Sequence, residues 1–336
     1  MRYPTISIVT CSYNSPIWLW KKTLHAISMQ QFPVSQIEHI IMDGGSTNGT
    51  IELLKRYHTK VVVRKDLLFK PVMRMGLGIA QARGDVVLFL EPDNIMIGRT
   101  WLRDMVKPFM DHKDIVGSFS MYNGYESNMP MFTKYCALFG INDPIVYYLG
   151  KSEKIPHFLR TYDKGNILYT DNTYTKVQFT RGTLPTLGDN GHMVRRELIM
   201  KVNRDPSSFL HTDAFALLAG MGFRTYGVVH NSIIHYTGSS VLDFCRRRIE
   251  YKRRYYDDKK NKRAYLVYNP YSFRDKKNLI LFILYSLTIV QPLMLSIRGF
   301  LSKPESAWFL HPITCFSMVV GYGYSEIQSR ISTVRK

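Results

Sequence analysis

The chain has 336 residues, 45% hydrophobic and 21% charged, which is the composition of an ordinary folded protein and argues against disorder. Its 45 Lys and Arg against 26 Asp and Glu leave a formal net charge of +19, a balance that calls for an anionic partner: nucleic acid, anionic lipid or a phosphorylated substrate. The four cysteines, Cys11, Cys136, Cys245 and Cys315, lie far apart with no Cys-x-x-Cys pair, so the spacing disfavours a zinc site or a disulfide framework and fits reduced thiols in a cytoplasmic setting.

MRYPTISIVT runs straight into a strand pattern, and no secretory signal is expected. Residues 6–10 read as a buried strand. PIWLWKKTLHAISMQQ then places Ile17, Trp20, Leu24 and Ile27 at helical spacing. IEHIIM is a strand and GTIELLKRY a helix with Ile51 and Leu54 inward. KVVVRK is a strand, VMRMGLGIAQAR a helix that stops near Gly84, and DVVLFL a strand. This β-α-β-α-β-α-β order predicts an α/β fold with a mainly parallel, Rossmann-like central sheet flanked by helices. Ligands on such sheets bind beyond the carboxyl ends of the strands. Residues 118–185, rich in Tyr, Asn, Gly and Pro, read as irregular. After them HMVRRELIMKV and TDAFALLAGMG read as helices, FRTYGVVH and SIIHYTG as strands. The expected organisation is a catalytic domain over residues 1–245 (halves 1–117 and 118–245), a basic segment over 246–277, and two hydrophobic helices with a tail over 278–336.

Two acidic positions stand at strand ends. Asp43 closes IEHIIMD and is followed by Gly44 and Gly45. A carboxylate accepts hydrogen bonds only, so there it can receive the N–H donors of a nucleobase edge or ribose hydroxyls, with the glycines leaving room for a ligand. The same residue could instead fold into an Asx-turn onto its own loop, where Ser46, Thr47 and Asn48 are N-cap types. In FLEPDN, Glu91 and Asp93 are two residues apart and point the same way in an extended segment. Such a pair suits a hard cation, Mg2+ or Mn2+, or else forms a solvated acidic turn.

SIVTCSYNS, IIMDGGSTNGT and ARGDVVLFLEPDN, in that order, resemble the nucleotide-binding half of family 2 glycosyltransferases of the GT-A fold. The resemblance covers roughly residues 4–240. It implies that Asp43 binds the nucleobase, with Asp66 adding a contact, and that Thr10, Ser12, Tyr13 and Asn14 touch the nucleotide. Glu91 and Asp93 would hold the metal and the sugar-nucleotide diphosphate. Asp213, in FLHTDAFALLAGMGF, falls where the family places its general base, although Thr212 replaces the usual Glu. An Asp in the first turn of a helix stays ionised readily. Asp189 or Asn190, in TLGDNGHMVRRE, would hold sugar hydroxyls, and His235 would lie near the metal or diphosphate. Glu91 departs from the usual Asp, which makes Asp93 the safer ligand. Lys70 and Arg74 stand where uncharged residues are more usual, and Arg74 is expected to hold phosphate. RRRIEYKRRYY resembles only loosely the Q-x-x-R-W motif of processive synthases, lacking its Gln and Trp. That argues against a polymerising enzyme and leaves Arg246 and Arg247 for a donor or acceptor phosphate.

Residues 278–297 and 307–325 are uncharged runs that just reach the length of about 20 residues needed to span a bilayer. They predict a membrane-inserted hairpin; buried core helices or an in-plane amphipathic segment fit the same pattern. Between Arg246 and Lys277 the sequence has 13 Lys and Arg against 4 Asp and Glu, a net of 13 − 4 = +9. That collar favours the cytoplasmic face and anionic membrane lipids. The expected function is thus an inverting, metal-dependent transfer of one sugar from a nucleoside diphosphate sugar, taken as GDP-mannose, to a lipid-linked acceptor. The alternatives are a polyprenyl-phosphate mannosyl synthase of the dolichyl-phosphate mannose synthase kind, or a non-catalytic relative that binds nucleotide sugars or membranes. No nucleic-acid-binding motif accompanies the charge, and no G-x-G-x-x-G follows the first strand as a dinucleotide-binding dehydrogenase would require.

Overall fold

The run ISIVTCS is buried at all seven positions and forms strand β1 (Ile6–Ser12). An apolar, β-branched run with no face left for water belongs in the middle of a sheet covered on both sides. The computed structural model describes residues 3–141, 143–188, 190–238, 240–253 and 263–334. After β1 come α1 (Ile17–Ser28), β2 (Ile37–Asp43), α2 (Thr50–Leu54), β3 (Lys60–Val63), α3 (Pro71–Gln81) and β4 (Val86–Leu90). This is the alternation that the periodicity predicts. Strand β1 pairs in parallel with β2 and β4, and β2 with β3. Helix α3 lies so close to β1 that a Cβ on Gly78 would come within 2.5 Å of Val9 Cγ1.

Beyond β4 the sheet stops being parallel. Next in the chain are β5 (Asn94–Met96), α4 (Trp101–Asp111), β6 (Ile115–Gly124), α5 (Met131–Phe139), α6 (Pro144–Tyr148), β7 (Asn166–Thr170), β8 (Tyr174–Gln178) and β9 (Asn190–Arg195). They are followed by α7 (Arg196–Val202), α8 (His211–Gly220) and β10 (Thr225–His235). The ten strands run in the order β3-β2-β1-β4-β9-β6-β10-β8-β7, with β5 on β10. Strand β9 is antiparallel to β4 and β6, and β10 is parallel to β6 but antiparallel to β8 and β5. The sheet is therefore mixed, not mainly parallel. The short link between β7 and β8 can only join antiparallel neighbours, since a parallel crossover needs a dozen or more residues.

Three sequence readings change. HMVRRELIMKV is not one helix: its first part is the end of β9, and α7 begins at Arg196. The two strands read in FRTYGVVHNSIIHYTG are one strand, β10, with a register shift between Val229 and Ser232. The stretch 118–185 is largely regular. Its helix α5 escaped notice because seven of its nine residues are buried, so no amphipathic stripe marks it.

The chain divides into two units, residues 1–124 with 162–235 and residues 125–161 with 236–336. The first contains the whole sheet with α1–α4, α7 and α8. The second is helical: α5, α6, α9 (Val241–Lys252), α10 (Phe273–Thr288), α11 (Val290–Ser302) and α12 (Leu310–Val334). Its core includes Phe132, Phe139, Phe244, Phe282 and Trp308. The first expected membrane span, 278–297, is broken. Ile289 has φ 64°, and α10 and α11 meet there at 81°. Pro292 accounts for the break, because in a straight helix its ring would strike the carbonyl four residues back. Pro312 lies in the first turn of α12, where proline is tolerated. Among the described residues no single helix is long and apolar enough to cross a membrane; the bent pair α10–α11 meets the test by length and composition only.

Inside the first unit, His39 joins β2 to β1. The Thr10 hydroxyl gives its one proton to the Leu90 carbonyl at 2.6 Å, so across the 2.8 Å contact His39 Nε2–H donates to Thr10 Oγ1. Burial holds the His39 pKa down to about 4. The unfolded chain takes up this proton near pH 6.5, while the folded protein refuses it until about pH 4. The resulting stability is intact above about pH 6.5 and is lost as the pH falls towards 4, amounting to about 3 kcal/mol. Between about pH 7 and about pH 4.5, melting temperature should therefore fall more steeply in the parent protein than in His39→Gln; equal slopes would remove His39 from the acid response.

Candidate active site

The loops after β1 and β2 are stitched to each other. Asp43 ends β2 opposite Ser12 and is fully buried. Its Oδ1 accepts the backbone N–H of Gly45 at 2.7 Å and of Ser46 at 2.6 Å, and its Oδ2 accepts the Ser46 hydroxyl at 2.7 Å. The Asx-turn alternative is thus the observed geometry, with three of about four acceptor positions in use. Ser46 Oγ accepts in turn from the Asn14 N–H at 2.8 Å, and Asn14 Oδ1 accepts the Thr47 N–H at 2.8 Å. Asn14 has φ 47°, a left-handed conformation that Asn tolerates better than most residues. The side chains of Thr10 and Ser12 are committed inside the fold, Thr10 as described and Ser12 by accepting from Trp20 Nε1 at 3.3 Å. Tyr13, by contrast, is exposed.

Gly44 clears space, but for a protein side chain. A Cβ on Gly44 would fall 1.9 Å from Arg74 Nη1. Arg74, on α3, is only 3% exposed. Its Nη1 donates to the carbonyls of Leu68 at 3.2 Å and Leu67 at 3.5 Å, and its Nε has no partner. Among the described residues no carboxylate forms an ion pair with it. The expected neighbour Asp66 is exposed and engaged elsewhere, with Arg64 Nε at 2.8 Å and Nη2 at 2.5 Å. The Arg64 hydrogen bonds hold the Asp66 carboxyl below its usual range.

A second group assembles at the end of β4. Glu91 Oε2 accepts the Cys11 N–H at 3.3 Å, so the first acid of the pair reaches back to β1. Asp93 instead meets His235, with Oδ2 3.6 Å from Nε2. The register of β10 against β5 explains this: His235 lies opposite Asn94. Asn94 ties the group together. Its Oδ1 accepts the Glu91 N–H at 3.4 Å, and its Nδ2 donates to Asp93 Oδ1 at 3.1 Å and to Asn190 Oδ1 at 3.4 Å. Sequence reasoning passed over Asn94, whose one signal is its place directly after the acidic pair. Among the described residues no group of three His, Cys, Asp or Glu side chains is arranged to hold a metal. Asp93 and His235 are close to the separation of adjacent ligands on one octahedral ion, about 3 Å for bonds of about 2.1 Å.

Asp213 lies in the first turn of α8 and is partly exposed. The start of this helix packs over the end of β4, with Phe89 6.3 Å from both Phe209 and Phe215. Asp189 lies outside the described residues. Arg246 and Arg247 belong to α9 in the second unit. There both pair with Asp243, and Arg247 also donates to the Thr237 carbonyl at 2.7 Å.

With β1 to β4, their loops and the acidic strand end in this arrangement, the chain matches the model of glycosyl transferase family 2 over residues 7–202, more than half its length. It belongs to glycosyl transferase family 2 and has the α/β GT-A fold with a mixed central sheet. Over 116 residues it is 27% identical to the poly(ribitol-phosphate) beta-N-acetylglucosaminyltransferase TarS of Staphylococcus aureus strain Mu50, a stretch that covers 33% of this chain and 20% of that protein. The chain thus spans about a fifth of the length of this relative. Among solved structures, the mannosyltransferase PcManGT from Pyrobaculum calidifontis, in complex with GDP-Man and Mn2+, aligns with a TM-score of 0.49 at 12% identity, covering 95% of this chain and 87% of that one. The S. aureus TarS 1–349 structure in complex with UDP-GlcNAc aligns with a TM-score of 0.45 at 15% identity, covering 98% and 92%.

The contact between Gly44 and Arg74 makes a stability prediction. Gly44→Ala should cost about 1–3 kcal/mol, the usual penalty for forcing a methyl into filled space. In an Arg74→Met background, where the opposing Nη1 and Cζ atoms are gone, the same change should cost much less. Chemical denaturation of the four proteins measures the coupling; additive effects would show that the guanidinium does not press on Gly44.

Proposed function

We propose that the protein is an inverting glycosyltransferase that moves one sugar from a nucleoside diphosphate sugar to a lipid-linked acceptor at the cytoplasmic face of a membrane. The observation that carries this reading is Arg74, a guanidinium 3% exposed that forms no ion pair among the described residues and whose Nε has no hydrogen-bond partner. A buried charge is costly unless an opposite charge joins it, and a donor diphosphate supplies that charge next to the loops that follow β1 and β2. Asp43, with its turn fixed by Ser46 and Asn14, offers its remaining acceptor position to a nucleobase or ribose. GDP-mannose is proposed as donor by analogy with lipid-linked mannosyl transfer. The lipid-linked acceptor is supported by the basic segment 246–277 and the apolar runs after it.

Asp93 and His235 would hold the divalent cation, Mg2+ or Mn2+, which suits an ion that commonly takes only one or two carboxylates from protein. A bound cation supplies neutralisation of the leaving diphosphate. Asp213, in the first turn of α8, is proposed as the base. The acceptor hydroxyl gives its proton to the Asp213 carboxylate as its oxygen bonds to the anomeric carbon. The bond from that carbon to the diphosphate oxygen breaks with its electron pair, and the nucleoside diphosphate leaves from the opposite face.

Asp213→Asn separates transfer from binding. Turnover should fall by about 10²–10⁴-fold, while donor affinity from calorimetry stays near that of the parent; unchanged turnover would remove Asp213 as the base. A thermal-shift panel of UDP, GDP, CDP and dTDP, each with and without Mn2+, tests the donor. A metal-dependent rise with GDP supports the reading, a rise with another nucleotide replaces the donor, and no rise with any of the four contradicts donor binding.

A further inference from the structure

The last three helices of the second unit bury several polar side chains beside its aromatic core and leave many apolar ones outside. Ser286, Ser296, His311, Thr314 and Ser325 are buried. Ser296, His311 and Thr314 make their hydrogen bonds within the unit, while the Ser286 and Ser325 hydroxyls have no partner among the described residues. His311 Nδ1 meets the Tyr135 hydroxyl at 2.9 Å and its Nε2 the Tyr148 hydroxyl at 3.2 Å, and Ser296 Oγ donates to the Trp308 carbonyl at 2.8 Å. On the same helices Leu284, Leu287, Val290, Met294, Ile313 and Val320 are each more than 40% exposed. Helices α10, α11 and α12 pack on one another. Apolar exposure on this scale marks a face that meets something apolar.

The occupant follows from length and charge. Helix α10 has 16 residues and α11 has 13, so at 1.5 Å per residue they are about 24 Å and about 20 Å long, short of a hydrocarbon core about 30 Å thick. They also meet at 81°, so the pair is not one straight span, and among the described residues no single helix, the 25-residue α12 included, is both long and apolar enough to cross. Exposed cations border the apolar face: Arg274, Lys276 and Lys277 at the start of α10, and Arg298 and Lys303 near the end of α11. Cations beside an apolar helix face suit anionic headgroups.

We infer that the outward faces of α10, α11 and α12 seat the second unit in one leaflet of an anionic membrane, with the bend at Ile289 inside that leaflet. This deepens the membrane location proposed above and does not depend on the transfer chemistry. The test uses the full chain, purified in detergent and mixed with sealed vesicles of phosphatidylcholine with or without phosphatidylglycerol. The parent should float with the vesicles, and more of it when phosphatidylglycerol is present. Leu287→Glu and Met294→Glu, at exposed positions, should each lower partitioning roughly tenfold or more, as expected for an apolar side chain removed from lipid. Val290→Cys, in a protein whose four native cysteines are buried, should resist an impermeant maleimide trapped inside the vesicles. Labelling of that cysteine from inside would overturn the one-leaflet seat and leave membrane attachment standing. Absence of flotation would remove both. Equal flotation on both vesicles would overturn the anionic preference. A dimer broken by Leu287→Glu, with flotation unchanged, would assign the face to a second copy.

Discussion

A guanidinium buried without an ion pair is the constraint on which the candidate site depends. Arg74 can occupy its place only because Gly44 has no side chain; a single methyl there would fall 1.9 Å from its Nη1. The two carbonyls that receive Nη1 are dipoles, not charges, and they offset the burial of a cation less than an ion pair would. The loop around it is held by its own hydrogen bonds. Asp43, Ser46 and Asn14 spend most of their hydrogen bonds on one another, so the walls beside the guanidinium are set before any ligand arrives. A cation held between fixed walls is a preorganised electrostatic element, whose effect on a developing negative charge does not have to be offset by rearrangement.

The second half of the site depends on strand register. Asp93 and His235 are 142 positions apart in the chain, and they meet because β10 runs antiparallel to β5 with His235 opposite Asn94. Strand β10 lies between β6 and β8 over residues 225–229 and pairs with β5 only after the register shift at Val229. That irregularity lets one strand complete the sheet at one end and deliver a histidine to the acidic turn at the other, a common use of a bulge beside a functional site.

The first four strands, the helices between them and the acids at the strand ends were legible in the sequence because each element has its own period and its own turn chemistry. What the carboxylates touch was not. Asp43 could be read as facing a ligand or its own loop, and only the fold shows the loop. Gly44 was read as room for a ligand, when the space is taken by an arginine thirty positions away. Asp66 was read as facing a base, and it is held by its neighbour Arg64. Asn94 gave almost no signal, since an asparagine after two acids is an ordinary turn residue until β9 and β10 arrive beside it. The C-terminal apolar runs were legible as apolar, but their bend was not, because it comes from one proline whose effect depends on whether neighbouring helices support a straight path.

Nucleotide binding to Arg74→Met tests the site most directly. Methionine fills similar space without a charge, and replacing a buried, poorly paired ion by an apolar side chain is often neutral or stabilising. Calorimetry with GDP and with UDP in the presence of Mn2+, together with the melting temperature of the free protein, reads both sides of the exchange. The expected result is a loss of roughly tenfold or more in nucleotide affinity, as for the loss of a charge-assisted contact, with no fall in the stability of the free protein. Unchanged affinity combined with a clear loss of stability would show Arg74 to be a structural arginine and would contradict the assignment of the donor site.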